Sequence, residues 1–300
     1  KKALLHKSTG FDDKVFEVYG APNDKHLLLA KGNGFTYNGF ILVDSIGNKL
    51  FEFDRKMGFK GALKTISFSP NSEQIMAVFN DTIAVWNLKG EVLHYVFHEN
   101  EKIEQAMFAP NGLEVLAVCD SFVVRLWNLA GEEMAEMKHD TTVWQLQYAK
   151  NAAFIGAFAD SIGYLWTNDG QLVQKLVHQK PIRALCFSPD SQHVLTASDD
   201  KTAKIWNTKG QLKATLVHPR WVNQEAKFSP NGLQVLTLSG SSKGYDKGLA
   251  RLWDLHGNLL NELETNAWIR KANFTPDGKA LLLLSVSHNG LLWQWDKTPN

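Results

Sequence analysis

The sequence predicts an all-β chain folded as a seven-bladed β-propeller, each blade built of four antiparallel strands. Three observations predict it: a recurring Trp phrase, a Phe-x-Pro turn that recurs in step with it, and strand-like text between. The Trp landmarks are Trp86, Trp127, Trp166, Trp206, Trp253 and Trp295, with Val43 in the first slot. Their spacings are 43, 41, 39, 40, 47 and 42 residues. A period of roughly 40–45 residues holding four strands is the mark of propeller blades.

A glycine follows four residues after the slot at Gly47, Gly90, Gly131, Gly170, Gly210 and Gly257. The matching turns are Phe68–Pro70, Phe108–Pro110, Phe187–Pro189, Phe228–Pro230 and Phe274–Pro276, with Tyr148-Ala-Lys150 and Gly20-Ala-Pro22 as weaker copies. Proline presets φ for the bend and the small polar residues after it close the turn. The segments between turns are short and rich in Val, Ile, Leu and Phe, and they read as buried strands.

The ends fit the same scheme. The last repeat stops after its third strand, and the opening KKALLHK resembles the fourth-strand text LKATLVH at Leu212–His218. The expected closure pairs Ala3–His6 with the last blade, which covers the sheet edge. Residues 1–300 read as one propeller domain. A start at Lys1 without Met is compatible with excision from a larger protein.

Composition narrows the function classes. Hydrophobic residues make up 44% and charged residues 21%, as in ordinary globular proteins. Thirty-two Lys and Arg against 31 Asp and Glu leave a net charge of +1, so no global field recruits nucleic acid or anionic membrane. Cys119 and Cys186 lie in apolar segments without metal-like spacing, and they read as buried thiols in a reducing, cytoplasmic setting. No secretory signal is present, and the longest apolar run, Ala280–Val286, is too short to span a bilayer.

The fifth repeat, HQKPIRALCFSPDSQHVLTASDDKTAKIWNTKG, resembles the WD-repeat family, and the resemblance extends over essentially the whole chain. It implies a hydrogen-bonded network of His178, Ser198, Asp200 and Trp206, with a partial copy at His139, Asp160 and Trp166. The texture of Trp-Asx with Gly at plus four is similar to bacterial WD-repeat propellers. Those are often the C-terminal part of larger signalling ATPases, kinases or proteases, so N-terminal effector domains are an implied attachment.

The grouping of His178, Asp200 and Ser198 also invites a catalytic-triad reading. A triad needs a nucleophile, a base and an oxyanion hole once, whereas this grouping recurs in partial copies, as a structural network does. The remaining histidines show no HxxxH or HExxH spacing, and no phosphate-binding glycine loop is present. The reading is therefore a non-enzyme with no metal and no cofactor.

In WD-repeat proteins partners dock on one face, around the channel mouth. Residues six and four before the Phe of each turn are implied to emerge there. Counting back marks Lys14, Phe16, Lys64, Lys102, Trp144, Arg183, Trp268 and Arg270; Trp221 lies beside a marked position and Tyr245 lies in the long turn of the sixth repeat. Trp, Tyr and Arg are enriched at protein-interaction hot spots. The competing reading packs some of these tryptophans between blades. Stacking aromatics with basic residues also describe single-strand nucleic-acid platforms, but the near-zero net charge weighs against that. The expected function is a non-catalytic scaffold or sensing domain for a protein or peptide. A regulatory propeller of a multidomain signalling protein is the alternative, and a channel hydrolase the weaker third.

Overall fold

The structure is a computed structural model that describes residues 15–32, 37–54, 63–97, 101–219, 222–240, 247–286 and 290–295. They form seven antiparallel sheets, each a simple meander in which strands pair in chain order. Six sheets have four strands; the seventh, with strands Ile269–Phe274, Ala280–Ser285 and Gly290–Gln294, has three among the described residues. No helix occurs among them. This is consistent with a seven-bladed propeller. The expected closing strand, Ala3–His6, lies outside the described residues. Contacts divide the chain into two compact units, 1–138 with sheets one to three and 139–300 with sheets four to seven.

Two turns, repeated from sheet to sheet, explain the regular meander. The first joins strands one and two. In Ser69-Pro70-Asn71-Ser72 the Ser72 N–H bonds the Ser69 carbonyl at 2.9 Å. The fourth position of this turn is left-handed in every repeat, at Asp24, Ser72, Gly112, Ala152, Ser191, Gly232 and Gly278. The serines there also tie neighbouring repeats together. Ser72 Oγ accepts the Asn23 N–H at 3.1 Å, and Ser191 Oγ accepts that of Asn151 at 3.2 Å.

The second turn joins strands three and four. Asn87 Oδ1 accepts the N–H groups of Lys89 and Glu91 at 2.9 and 3.0 Å, and Gly90 N–H bonds the Asn87 carbonyl at 3.1 Å. A type I turn followed by a left-handed glycine is a common hairpin solution. Gly90 is required twice over. Its φ is 83°, and a Cβ there would lie 2.1 Å from the Phe51 ring of the preceding sheet.

Packing runs from each sheet to the next within a unit. Phe40 and Phe53 of the first sheet meet Trp86 of the second at ring-centroid distances of 5.8 and 5.4 Å. In the second unit Leu195, Ala197 and Ile205 pack against Val235 and Trp253, and Leu236, Leu238 and Leu252 against Leu281 and Trp293. Trp86, Trp127, Trp206, Trp253 and Trp293 thus each cap the apolar face of the sheet before.

The seventh sheet corrects one landmark. Trp293, not Trp295, pairs with Leu281 as Trp253 pairs with Val235, and it is the one buried in the core. Trp295 packs edge-on against Phe274 and Trp293 at the strand end. Positions i and i+2 of a strand share a face, so alternation could not separate the two. The same sheet leaves Leu282, Leu284 and Leu292 at 55%, 41% and 52% exposure, where the sixth buries Leu236, Leu238 and Leu252.

Candidate functional site

The WD-like network is built on the fifth sheet. His178, 4% exposed, presents Nδ1 to Asp200 Oδ2 at 2.9 Å and Nε2 to Thr196 Oγ1 at 2.8 Å. Trp206 Nε1–H donates to the same Thr196 oxygen at 2.9 Å. The polarity follows from the ends. The indole can only donate and the carboxylate can only accept, so Nδ1 carries the proton and the threonine hydroxyl donates to Nε2. The indole N–H, the threonine hydroxyl and both imidazole nitrogens of this network are then satisfied.

The hydroxyl in this network is Thr196, two residues before Ser198, which corrects the sequence expectation. Ser198 Oγ instead donates to the Lys180 carbonyl at 2.8 Å and accepts the Asp200 N–H at 3.1 Å, bracing the loop. Both residues point to one face of the strand. Thr196 lies near its middle, within reach of the Trp206 indole, and Ser198 ends it.

Burial would raise the Asp200 pKa, but bonds from Thr202, the Gln179 N–H and His178 outweigh it and hold the carboxyl at about 2. Burial lowers that of His178, against the pull of Asp200. The Thr196–His178–Asp200 line has the order of a nucleophile–base–acid relay. Thr196 is wholly buried and already takes the Trp206 N–H, so the hydroxyl has no path to a substrate. The arrangement fastens strands; it does not present a nucleophile.

The network thins in neighbouring sheets. In the sixth, Trp253 Nε1–H donates to Thr237 at 2.8 Å, while His218 stands edge-on to Trp253 with neither ring nitrogen partnered. Burial, with Arg251 nearby, lowers the His218 pKa to about 3. In the fourth, Ala157 occupies the threonine position, and Tyr164 stacks on Trp166 at 5.2 Å with His139 edge-on to both rings. Asp160 sits in the adjoining turn at φ 52°, its carbonyl taking the Ile182 N–H at 2.7 Å.

The sequence-marked rim residues divide between the two units. In the first, Lys64 Nζ is engaged by the Ile103 carbonyl at 2.5 Å and Glu104 at 3.3 Å, and Lys102 is exposed. Phe16 belongs to the first strand, and its side chain is outside the described set. In the second unit Trp144 is 65% exposed at the start of the fourth sheet. Arg183 is exposed, but its guanidinium is bonded to Asp199 through Nε at 2.9 Å and through Nη2. Trp268 is half-buried, its carbonyl holding the Val286 N–H at 2.9 Å, and Arg270 is exposed. Lys14, Trp221 and Tyr245 lie outside the described residues. The Arg183–Asp199 pair was not visible in the sequence. The partners are 16 residues apart, and only the hairpin brings them together.

Among the described residues no group of three or more His, Cys, Asp or Glu could hold a metal ion, and no helix is long and apolar enough to cross a membrane. Cys119 and Cys186 are free thiols, and burial pushes both pKa values up to about 12.

Residues 170–207 match the WD40 family, described as WD domain, G-beta repeat. The chain resembles WD-repeat proteins. It is 26% identical over 275 residues to the nuclear distribution protein PAC1 of Arthroderma otae, covering 79% of this chain and 59% of that protein. It is 23% identical over 274 residues to human apoptotic protease-activating factor 1, covering 85% of this chain and 21% of that protein. Protein hir1 of Emericella nidulans is 24% identical over 221 residues, covering 70% and 19%. The chain therefore spans less than two thirds of each relative's length. These relatives are fungal and mammalian, and they give no support to the bacterial texture expected above.

Proposed function

We propose that this chain is a WD-repeat propeller acting as a non-catalytic scaffold or sensing domain that binds a protein or peptide. The observation that carries the reading is Trp144. A 65%-exposed indole at a strand start, in the unit that also carries the Arg183–Asp199 pair, is a ready anchor for a partner. The proposed face is that of the second unit, with Trp268 and Arg270; the expected positions Trp221 and Tyr245 lie outside the described residues, as does Lys14 of the first unit, where Phe16, Lys64 and Lys102 are also expected. Because Asp199 already holds Arg183, an acidic partner must displace that carboxylate to use the guanidinium.

The similarity to apoptotic protease-activating factor 1, a much longer protein, favours the second reading, a regulatory propeller attached to N-terminal effector domains. Closure by Ala3–His6 pairing alongside Gly290–Gln294 and a cytoplasmic setting belong to the same proposal. The test is a Trp144→Ala/Arg183→Ala/Trp268→Ala variant of the full chain. It should lose partner capture; the Trp144→Ala/Arg183→Ala pair, both at exposed residues, should weaken capture with little shift in the unfolding midpoint, since exposed substitutions stay within about 0.5 kcal/mol each. Undiminished capture by a folded variant would sink the proposed face.

A further inference from the structure

Two copies of the tetrapeptide Pro-Asn-Gly-Leu stand at one point of the repeat, Pro110–Leu113 before the second strand of the third sheet and Pro230–Leu233 in the sixth. In both the asparagine is exposed, and the glycine is buried and left-handed, at φ 71° and 73°. Each glycine N–H closes the turn, to Ala109 at 2.8 Å and to Ser229 at 2.9 Å. Each asparagine Oδ1 accepts the N–H of the following leucine at 3.0 Å.

An Asn-Gly pair deamidates when the glycine nitrogen reaches the asparagine Cγ. The N–Cγ bond forms, the Cγ–Nδ2 bond breaks, and ammonia leaves with the glycine amide proton. Water then opens the succinimide to aspartate or isoaspartate.

The two turns differ in what holds that side chain. Ser229 Oγ donates to Asn231 Oδ1 at 2.7 Å and accepts the Gln234 N–H at 2.9 Å, a clamp that Ala109 cannot supply. The third sheet also carries Glu114 where the sixth carries Gln234. The Asn111 side chain bonds the Glu114 carboxyl, whose Oε2 is buried without a partner. The carbonyl of Asn111 is thus held by one bond fewer, and its side chain rests against an acid.

We propose that Asn111 is a site of spontaneous deamidation in the folded protein, and that Asn231 is protected by Ser229. The slot itself accepts aspartate, since Asp190 and Asp277 occupy it in the fifth and seventh sheets under the hydroxyls of Ser188 and Thr275. At position 111, however, the product places a second carboxyl beside a buried Glu114 and removes the amide that bonded it. Deamidation there loosens the third sheet, and the equivalent change at 231 does not.

The experiment incubates the folded chain in mildly alkaline buffer and follows both sites by peptide mapping. Asn111 should convert about fivefold faster than Asn231, the ratio that one hydrogen bond of ~1 kcal/mol supplies. In concentrated urea the two rates should converge, because the Pro-Asn-Gly-Leu segments that set the unfolded rate are identical. Ser229→Ala should raise the Asn231 rate and Ala109→Ser should lower that of Asn111. Asn111→Asp should lower the unfolding midpoint and Asn231→Asp leave it unchanged. Equal folded rates, an unreactive Asn111, or a gap that persists in urea each overturns the proposal.

Discussion

Replacing Thr196 with valine is the sharpest probe of the buried network, because the side chains are nearly the same shape and only the hydroxyl is lost. Two buried groups would be orphaned: the Trp206 N–H now at 2.9 Å and the His178 Nε2 now at 2.8 Å. Each unsatisfied buried polar group costs about 1–3 kcal/mol, so Thr196→Val should destabilise by about 2–6 kcal/mol. Thr237→Val in the next sheet removes a hydroxyl equally buried but bonded to Trp253 at 2.8 Å, with no bond to His218. It should cost about half as much, ~1–3 kcal/mol. Urea unfolding followed by tryptophan fluorescence reads both as shifts in midpoint at constant slope. Thr196→Ser should restore most of the loss, since it returns the hydroxyl and gives up one methyl. A Thr237→Val cost matching that of Thr196→Val would refute the two-orphan reasoning, as would a loss below about 0.5 kcal/mol in both.

Three further outcomes are expected. His218 is buried neutral with its pKa near 3 against 6.5 in the unfolded chain, so the unfolded state binds the extra proton; stability is full above pH 6.5 and falls towards pH 3. His218→Phe should flatten that acid limb, gaining about 2 kcal/mol at pH 5 relative to pH 7 in chemical denaturation, and an unchanged limb would count against it. Ala152, at φ 58° where three other repeats use glycine, carries left-handed strain; Ala152→Gly should stabilise by about 0.5 kcal/mol, and a destabilisation in the same assay would show the strain is absent. Deleting residues 1–9 should reduce unfolding cooperativity and solubility by leaving the seventh sheet one strand short, and an intact melting profile would argue against the proposed closure.

The repeat was legible because its turns are chemical instructions. Pro-Asn before a left-handed residue, and Asx three residues before Gly, each specify one bend, and the spacing follows. What sequence reading missed lies at the next level. Trp293 and Trp295 share a strand face, as do Thr196 and Ser198, so alternation fits either member of each pair. Register decides between them, and register depends on the hairpin opposite: Leu281 faces Trp293, and Thr196 faces Lys204. The Arg183–Asp199 and Asn111–Glu114 contacts were invisible for a related reason. They depend on where two turns leave their side chains, which no periodicity reports.

The glycine of the second turn has a consequence for how such a chain can change over evolution. Gly90 lies against Phe51, Gly210 against Gln174 and Gly257 against Ala214, each time in the sheet immediately before. These three repeats therefore each carry a fitting for their predecessor. Whole repeats can be duplicated or deleted as cassettes with their joints intact, whereas a gain of a few residues inside one repeat misaligns a joint. Length variation in this lineage should accordingly come in steps of one repeat, and fine variation should gather in the loops between third-strand starts, as the longer sixth repeat already shows.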